Sequence, residues 1–163
     1  LLELAPFEQF DLEMARMVSG DPHAGDLLDW LLHNTTMLRC EDLHTFSFWP
    51  QFRTFLLWQM GREYNDEKRK AIFGRGGLYY ELKEDYAHAL ACYTKGGDHS
   101  KVSDLLVRNA ELHPGMGHYS EMENYYRSLA VPDAGHEHAL RAGDGLRRFR
   151  TLVPRAAGIL EAL

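Results

Sequence analysis

"FSFWPQFRTFLLWQM", Phe46 to Met60, changes its hydrophobic period partway along. Up to Trp49 apolar and polar residues alternate, as in a strand with one buried face. From Phe52 onward the Phe, Leu and Met residues recur at the three- and four-residue spacing of an amphipathic helix. Pro50 stands at the join, where the first turn of a helix tolerates its missing N–H. The stretch therefore predicts a short strand that runs directly into a helix from about Pro50 to Tyr64.

Working upstream, "TTMLRC" and "TFSFW" are two β-prone runs separated by the polar "EDLH", the pattern of a hairpin with a four-residue connection. Two short amphipathic segments precede it. "FEQFDLEMARMV" places Phe7, Phe10, Met14 and Met17 on one helical face, and "AGDLLDWLLHN" does the same with Leu27, Leu28, Leu31 and Leu32. Helix, helix, hairpin, helix over residues 1–64 is a small winged-helix arrangement. It makes the quoted stretch the second wing strand feeding the next helix.

Downstream, "NDEKRK" has the composition of a polar linker, and the rest looks helical. Lys68 to Lys95 should form two helices with "LKED" between them. "SKVSDLLVRNAEL" is a third after "GGDH", and "YSEMENYYRSLA" a fourth after the breaker cluster "HPGMGH". Phe73, Gly77, Tyr80, Ala89 and Tyr93 fall on tetratricopeptide spacings, in which small residues let two helices approach and aromatics fill the gap. Gly96 and Lys101 depart from that pattern, so one recognisable repeat and one degenerate repeat are expected. The fold class is thus mainly α, a winged-helix domain followed by antiparallel helix pairs of tetratricopeptide-like, α-solenoid type. The expected domains are 1–64, 65–130, and a further helix or connector over 131–163.

Bulk properties narrow the class. A chain of 163 residues that is 45% hydrophobic and 12% aromatic can bury a core. A net charge of −6 and a pI near 5.8 disfavour phosphate-rich partners for the chain as a whole. Cys40 and Cys92 belong to no repeated spacing, which points away from a disulfide framework or zinc ribbon and towards a reducing, cytoplasmic setting. No apolar run reaches the roughly 18 residues of a membrane span, and nothing at the start reads as a signal peptide. The opening "LLELAPFEQF" lacks an initiating Met and resembles the inside of a folded segment, so a fragment of a longer protein is expected.

No catalytic or metal constellation emerges. His136 and His138, or His113 and His118, do not supply the three or four converging ligands that zinc needs. The carboxylate pairs Asp66/Glu67 and Glu84/Asp85 sit beside Lys and Arg and read as solvated faces. No phosphate-cradling GxxxxGK[ST] and no GxSxG occurs, and Cys92 reads as core. The chain is expected to be non-enzymatic and to hold no cofactor. The helix before the hairpin would be the recognition helix, but it carries Asp26 and Asp29 and no Arg or Lys, which favours packing on a neighbouring domain over DNA. Two candidate contact surfaces remain. Tyr79 and Tyr126 are candidates for an effector or partner surface on the helical repeats, and Arg147, Arg148 and Arg150 for a basic patch.

Three stretches, "DLLDWLLHNTTML", "FSFWPQFRTFLLWQM" and "GLYYELKEDYAHALACYTKGGDHSKVSDLLVRNA", give the chain from about Pro6 to Leu129 a likeness to a known family. It resembles the large ATP-dependent, LuxR-type transcriptional regulators of the MalT-like (STAND) family. Trp49 stands where the family usually has His, while Phe52, Phe55 and Leu56 keep the apolar helix face. The resemblance implies a multi-domain signal-transduction switch: an ATPase core upstream, this winged-helix relay, a helical-repeat sensor for a small-molecule or protein effector, and a DNA-binding domain at the far end. The partners would be those other domains and the effector, with neither DNA contact by this segment nor a membrane. Two further readings stay open, a freestanding tetratricopeptide-type interaction adaptor and a winged-helix DNA-binding regulator.

Overall fold

The computed structural model describes residues 1–112 and 118–130, and the chain divides into two compact units, Leu1–Tyr79 and Tyr80 onward. The described residues form seven helices and one two-stranded sheet, a mainly α fold that begins with a small winged-helix domain.

In the first unit, α1 (Leu12–Ser19) starts later than the hydrophobic spacing implies. Asp11 is extended and its side chain accepts the Met14 N–H at 2.7 Å, satisfying a donor that the first turn would otherwise leave open. Gly20, at φ 71°, ends the helix by returning its N–H to the Arg16 carbonyl. Phe10 is therefore outside the helix. It exchanges two backbone hydrogen bonds with Phe46, at 3.0 and 2.8 Å, and so extends the edge of the wing.

Helix α2 (Ala24–Asn34) buries Ala24, Leu28 and Leu31. The four leucines expected on one face divide. Neighbours in sequence lie about 100° apart around a helix, and with Ala24 completing the buried stripe, Leu27 is turned out to 42% exposure and Leu32 is half-buried.

Strands β1 (Leu38–Glu41) and β2 (Thr45–Phe48) pair antiparallel, Leu38 opposite Phe48 and Glu41 opposite Thr45. The connection is three residues, not the expected four, because Glu41 stays in the strand. Its carboxylate accepts from Gln9 Nε2 at 3.1 Å and Ser47 Oγ at 3.3 Å. Asp42 and Leu43 both take positive φ, 50° and 62°, and the His44 N–H closes the turn on the Glu41 carbonyl.

Helix α3 (Pro50–Glu63) follows with Pro50 in its first turn and buries Leu56 and Met60. The Arg53 guanidinium donates to the carbonyls of Ala5 and Pro6, at 3.0 and 3.1 Å, which fastens the N-terminal segment to this helix.

Helix α4 (Asp66–Leu82) begins inside the stretch expected to be a linker. "NDEKRK" is a helix start: Asn65 Oδ1 accepts the Lys68 N–H at 2.9 Å, and Asp66 and Glu67 oppose the positive end of the helix dipole. Ile72, Gly76 and Tyr79 are buried in the first unit. The Phe7 ring lies against Gly76 and meets Phe73 edge-on at 6.4 Å.

The second unit opens within α4 and continues with α5 (Tyr86–Lys95), α6 (His99–Glu111) and α7 (Glu123–Ala130). Asp85 and Asp98 cap α5 and α6 through the His88 and Lys101 N–H groups. Ala89, Leu90 and Tyr93 of α5 and Leu105, Leu106 and Ala110 of α6 form its core with Tyr119, Met122 and Tyr126, and Tyr80 and Tyr86 pack against it.

Candidate functional site at the hairpin to helix junction

The sequence change at Pro50 produces a corner. The Trp49 N–H donates to the Met37 carbonyl at 2.9 Å, holding the end of β2 against the residue that enters β1, and the Trp49 carbonyl accepts the Arg53 N–H as α3 begins. Around the corner lies an open groove of about 330 Å³ lined by Thr36, Met37, Trp49, Gln51 and Phe52. The Arg39 guanidinium stands over the Trp49 ring at 4.6 Å, a cation–π contact that leaves the indole 43% exposed.

From this corner a file of aromatic rings runs from core to surface. Phe10 and Phe48 are buried and meet at 5.1 Å. Phe52 follows at 5.7 Å, Phe55 at 6.5 Å and Trp58 at 6.3 Å, with Arg62 over Trp58 at 4.7 Å. Phe55 and Trp58 are more than half exposed. Leu27, Trp30 and Met37 are also exposed on the first unit. None of the five groove residues carries a titratable group, so the chemistry on offer is contact and stacking. Among the described residues no three His, Cys, Asp or Glu side chains converge as a metal site.

Tyr79 and Tyr126 do not form a binding surface. Tyr79 is buried and its hydroxyl donates to Asp11 Oδ2 at 2.7 Å, so it ties α4 to the cap of α1. Tyr126 is fully buried: its hydroxyl donates to the Leu106 carbonyl at 2.7 Å and accepts from Asn109 Nδ2 at 3.1 Å, while Asn109 Oδ1 accepts the His118 N–H. Burial pushes the Tyr126 phenol up to about 12. The physical reason is common to both rings. Each lies off the aliphatic stripe of its helix but finds a hydroxyl partner in the interior, so it buries as a satisfied polar aromatic. Arg147, Arg148 and Arg150 lie outside the described residues, as do His113, His136 and His138. His88 Nδ1 lies 2.8 Å from Asp85 Oδ2 and His118 Nδ1 lies 3.0 Å from Glu121 Oε1, both contacts between residues three apart in sequence. Cys92 is buried, as its place in the sequence implies, and burial raises its thiol to about 11.

A second polar knot belongs to the second unit. Glu81 accepts from the Tyr93 hydroxyl at 2.8 Å and from Arg108 at 2.6 Å. Burial pushes the Glu81 carboxyl up, but the hydrogen bonds from Arg108 and Tyr93 and the arginine's charge outweigh it and hold the group below its ordinary value. These are the contacts of a structural brace.

The exposed aromatics were the part sequence reasoning missed. Their signal is that the large apolar residues of α3 are spread around the helix instead of gathered on one face: Leu56 and Met60 are buried, while Phe55 and Trp58 point elsewhere.

Residues 1–68 match the family model of the MalT winged helix domain. That match ends in the first turn of α4, and makes the N-terminal part of the chain similar to a domain of a regulator-type, multi-domain protein. No curated protein and no solved structure matches the chain. No helix among the described residues is long and apolar enough to cross a membrane.

Proposed function

We propose that this chain is a non-catalytic relay and sensing segment of a LuxR-type, ATP-dependent transcriptional regulator of the MalT-like family. The observation that carries the reading is the match of residues 1–68 to the MalT winged helix domain. The exposed groove and aromatic file support it, since a relay works through surfaces that neighbouring domains cover and uncover. In this account the winged helix packs against an ATPase core encoded upstream. The helices from Tyr80 onward form a tetratricopeptide-like sensor for a small-molecule or protein effector. DNA is read by a separate domain downstream, all within the cytoplasm. The segment binds no cofactor itself. DNA contact by α2 is disfavoured because Asp26 and Asp29 would face the phosphates.

The test is the sequence of the parent gene on both sides of this segment. The proposal expects a phosphate-loop motif upstream and a LuxR-type helix-turn-helix downstream. A start codon just before Leu1 with a stop just after Leu163 would overturn it in favour of a small adaptor.

A further inference from the structure

The three tryptophans of the chain are all exposed, yet they differ in one respect. Arg39 covers Trp49 and Arg62 covers Trp58, each within 5 Å of the ring. Among the described residues no cation lies over Trp30, which is 56% exposed on α2. One turn before it stands Leu27, also exposed, and beside it stand Asp26 and Asp29. Each carboxylate lies near the ring of one neighbouring histidine, Asp26 at 3.3 Å from His23 Nδ1 and Asp29 at 3.3 Å from His33 Nδ1, with all four side chains at least two-thirds exposed. Asn34 Nδ2 donates back to the Trp30 carbonyl at 2.8 Å. The result is an apolar edge of Leu27 and Trp30 running alongside an acidic edge of Asp26 and Asp29.

We infer that this face of α2 docks a cationic amphipathic helix, whose arginine or lysine side chains meet Asp26 and Asp29 and stack on Trp30 while its apolar stripe covers Leu27. The charge pattern selects this occupant. An acidic partner or a nucleic acid would be repelled by the two carboxylates. A purely apolar partner would strip water from them with nothing in return. A cation over an indole is the arrangement the chain already uses at its other two tryptophans, and tryptophan beside a desolvated charge pair has the makeup of an interface hot spot. The inference names a partner chemistry for the relay surface and rests on that reading, but its test does not pass through the parent gene.

The experiment uses two synthetic amphipathic helices, one of leucine and arginine and one of leucine and glutamate, each fluorescently labelled and titrated with the whole chain. The arginine peptide should bind, more weakly as salt rises, and the glutamate peptide should not. Trp30→Ala and the double variant Asp26→Asn/Asp29→Asn should each weaken binding about tenfold or more. Asp104→Asn/Glu111→Gln, which removes the same charge from exposed positions of α6, should bind like the parent chain. All the substituted side chains are exposed, and far-ultraviolet circular dichroism confirms that each variant is folded. Equal weakening by the α6 control, equal binding of the glutamate peptide, or no binding of the arginine peptide would each overturn the inference. Those outcomes would leave the family reading of the domain standing, whereas loss of the flanking motifs would remove that reading and not the docking.

Discussion

Gly76 is where α4 admits the Phe7 ring. A Cβ there would sit 2.4 Å from Phe7 Cε1 and 2.5 Å from Cζ, inside any contact that a real side chain makes. Phe7 is 4% exposed and braced by Phe73, so the ring has little room to retreat. In Gly76→Ala the gain in helix propensity, about 1 kcal/mol, competes with an overpacking cost of about 1–3 kcal/mol. The expected net effect is a loss of up to about 2 kcal/mol. Gly74→Ala, two residues away in the same helix, meets nothing within 4 Å and should gain about 0.5–1 kcal/mol. The two alanines should thus differ in sign. Urea or thermal unfolding followed by tryptophan fluorescence is the assay, because Trp30, Trp49 and Trp58 all lie in Leu1–Tyr79 and report on that unit alone. In a unit of this size, 1 kcal/mol moves Tm by about 4–8 °C, so the two variants should be well separated. Phe7→Leu should reduce the cost of Gly76→Ala in a double-mutant cycle. If Gly76→Ala proves as stable as Gly74→Ala, the packing of Phe7 on α4 is refuted.

Tyr126→Phe removes the hydroxyl shared by Leu106 and Asn109 and should cost about 1–3 kcal/mol, read as an earlier unfolding transition by far-ultraviolet circular dichroism. With its folded value near 12 against an ordinary 10, the same phenol favours folding fully below pH 10. That contribution is lost as pH rises from 10 through 12, so the stability advantage of the parent chain over Tyr126→Phe should narrow across that range. Glu81 has the opposite sign: held below its ordinary value of 4.5, it stabilises above that pH and ceases to as pH falls through its lower folded value. Glu81→Gln should therefore flatten the acid limb of the stability curve. Of the two thiols, half-buried Cys40 should react promptly with a disulfide reagent at pH 8. Buried Cys92, with its thiol raised to about 11, should react only after denaturant is added.

The legibility of this fold varied with the kind of signal. The period change at Pro50 and the turn residues around it specify β2, α3 and the winged-helix order, because a switch from period two to period 3.6 has few other readings. Boundaries fared less well where a cap competes with hydrophobic spacing. Asp11 starts α1 and leaves Phe10 to the sheet edge, and Asn65 turns an apparent linker into the start of α4. Which of two adjacent leucines faces inward depends on the third member of the stripe, and Ala24, small and easily overlooked, decides it for α2. The candidate site was least legible. Tyr79 and Tyr126 were expected outside because they leave the aliphatic stripe, but hydroxyl partners distant in sequence, Asp11 for one and Leu106 and Asn109 for the other, draw them in. The surface residues emerged only by subtraction, as the aromatics of α2 and α3 for which the core has no room.

The central claim is that the first unit acts through an aromatic surface that other parts of its polypeptide cover. Acrylamide quenching of tryptophan fluorescence tests it directly, since all three indoles are exposed here and all lie in the first unit. The measurement compares this chain with the whole polypeptide its parent gene encodes, with any further tryptophans replaced by phenylalanine. The account predicts a clear drop in quenching in the whole polypeptide as Trp30, Trp49 and Trp58 become shielded. Equal quenching in both would contradict it, and would mean that the winged-helix surface stays open and relays nothing through contact.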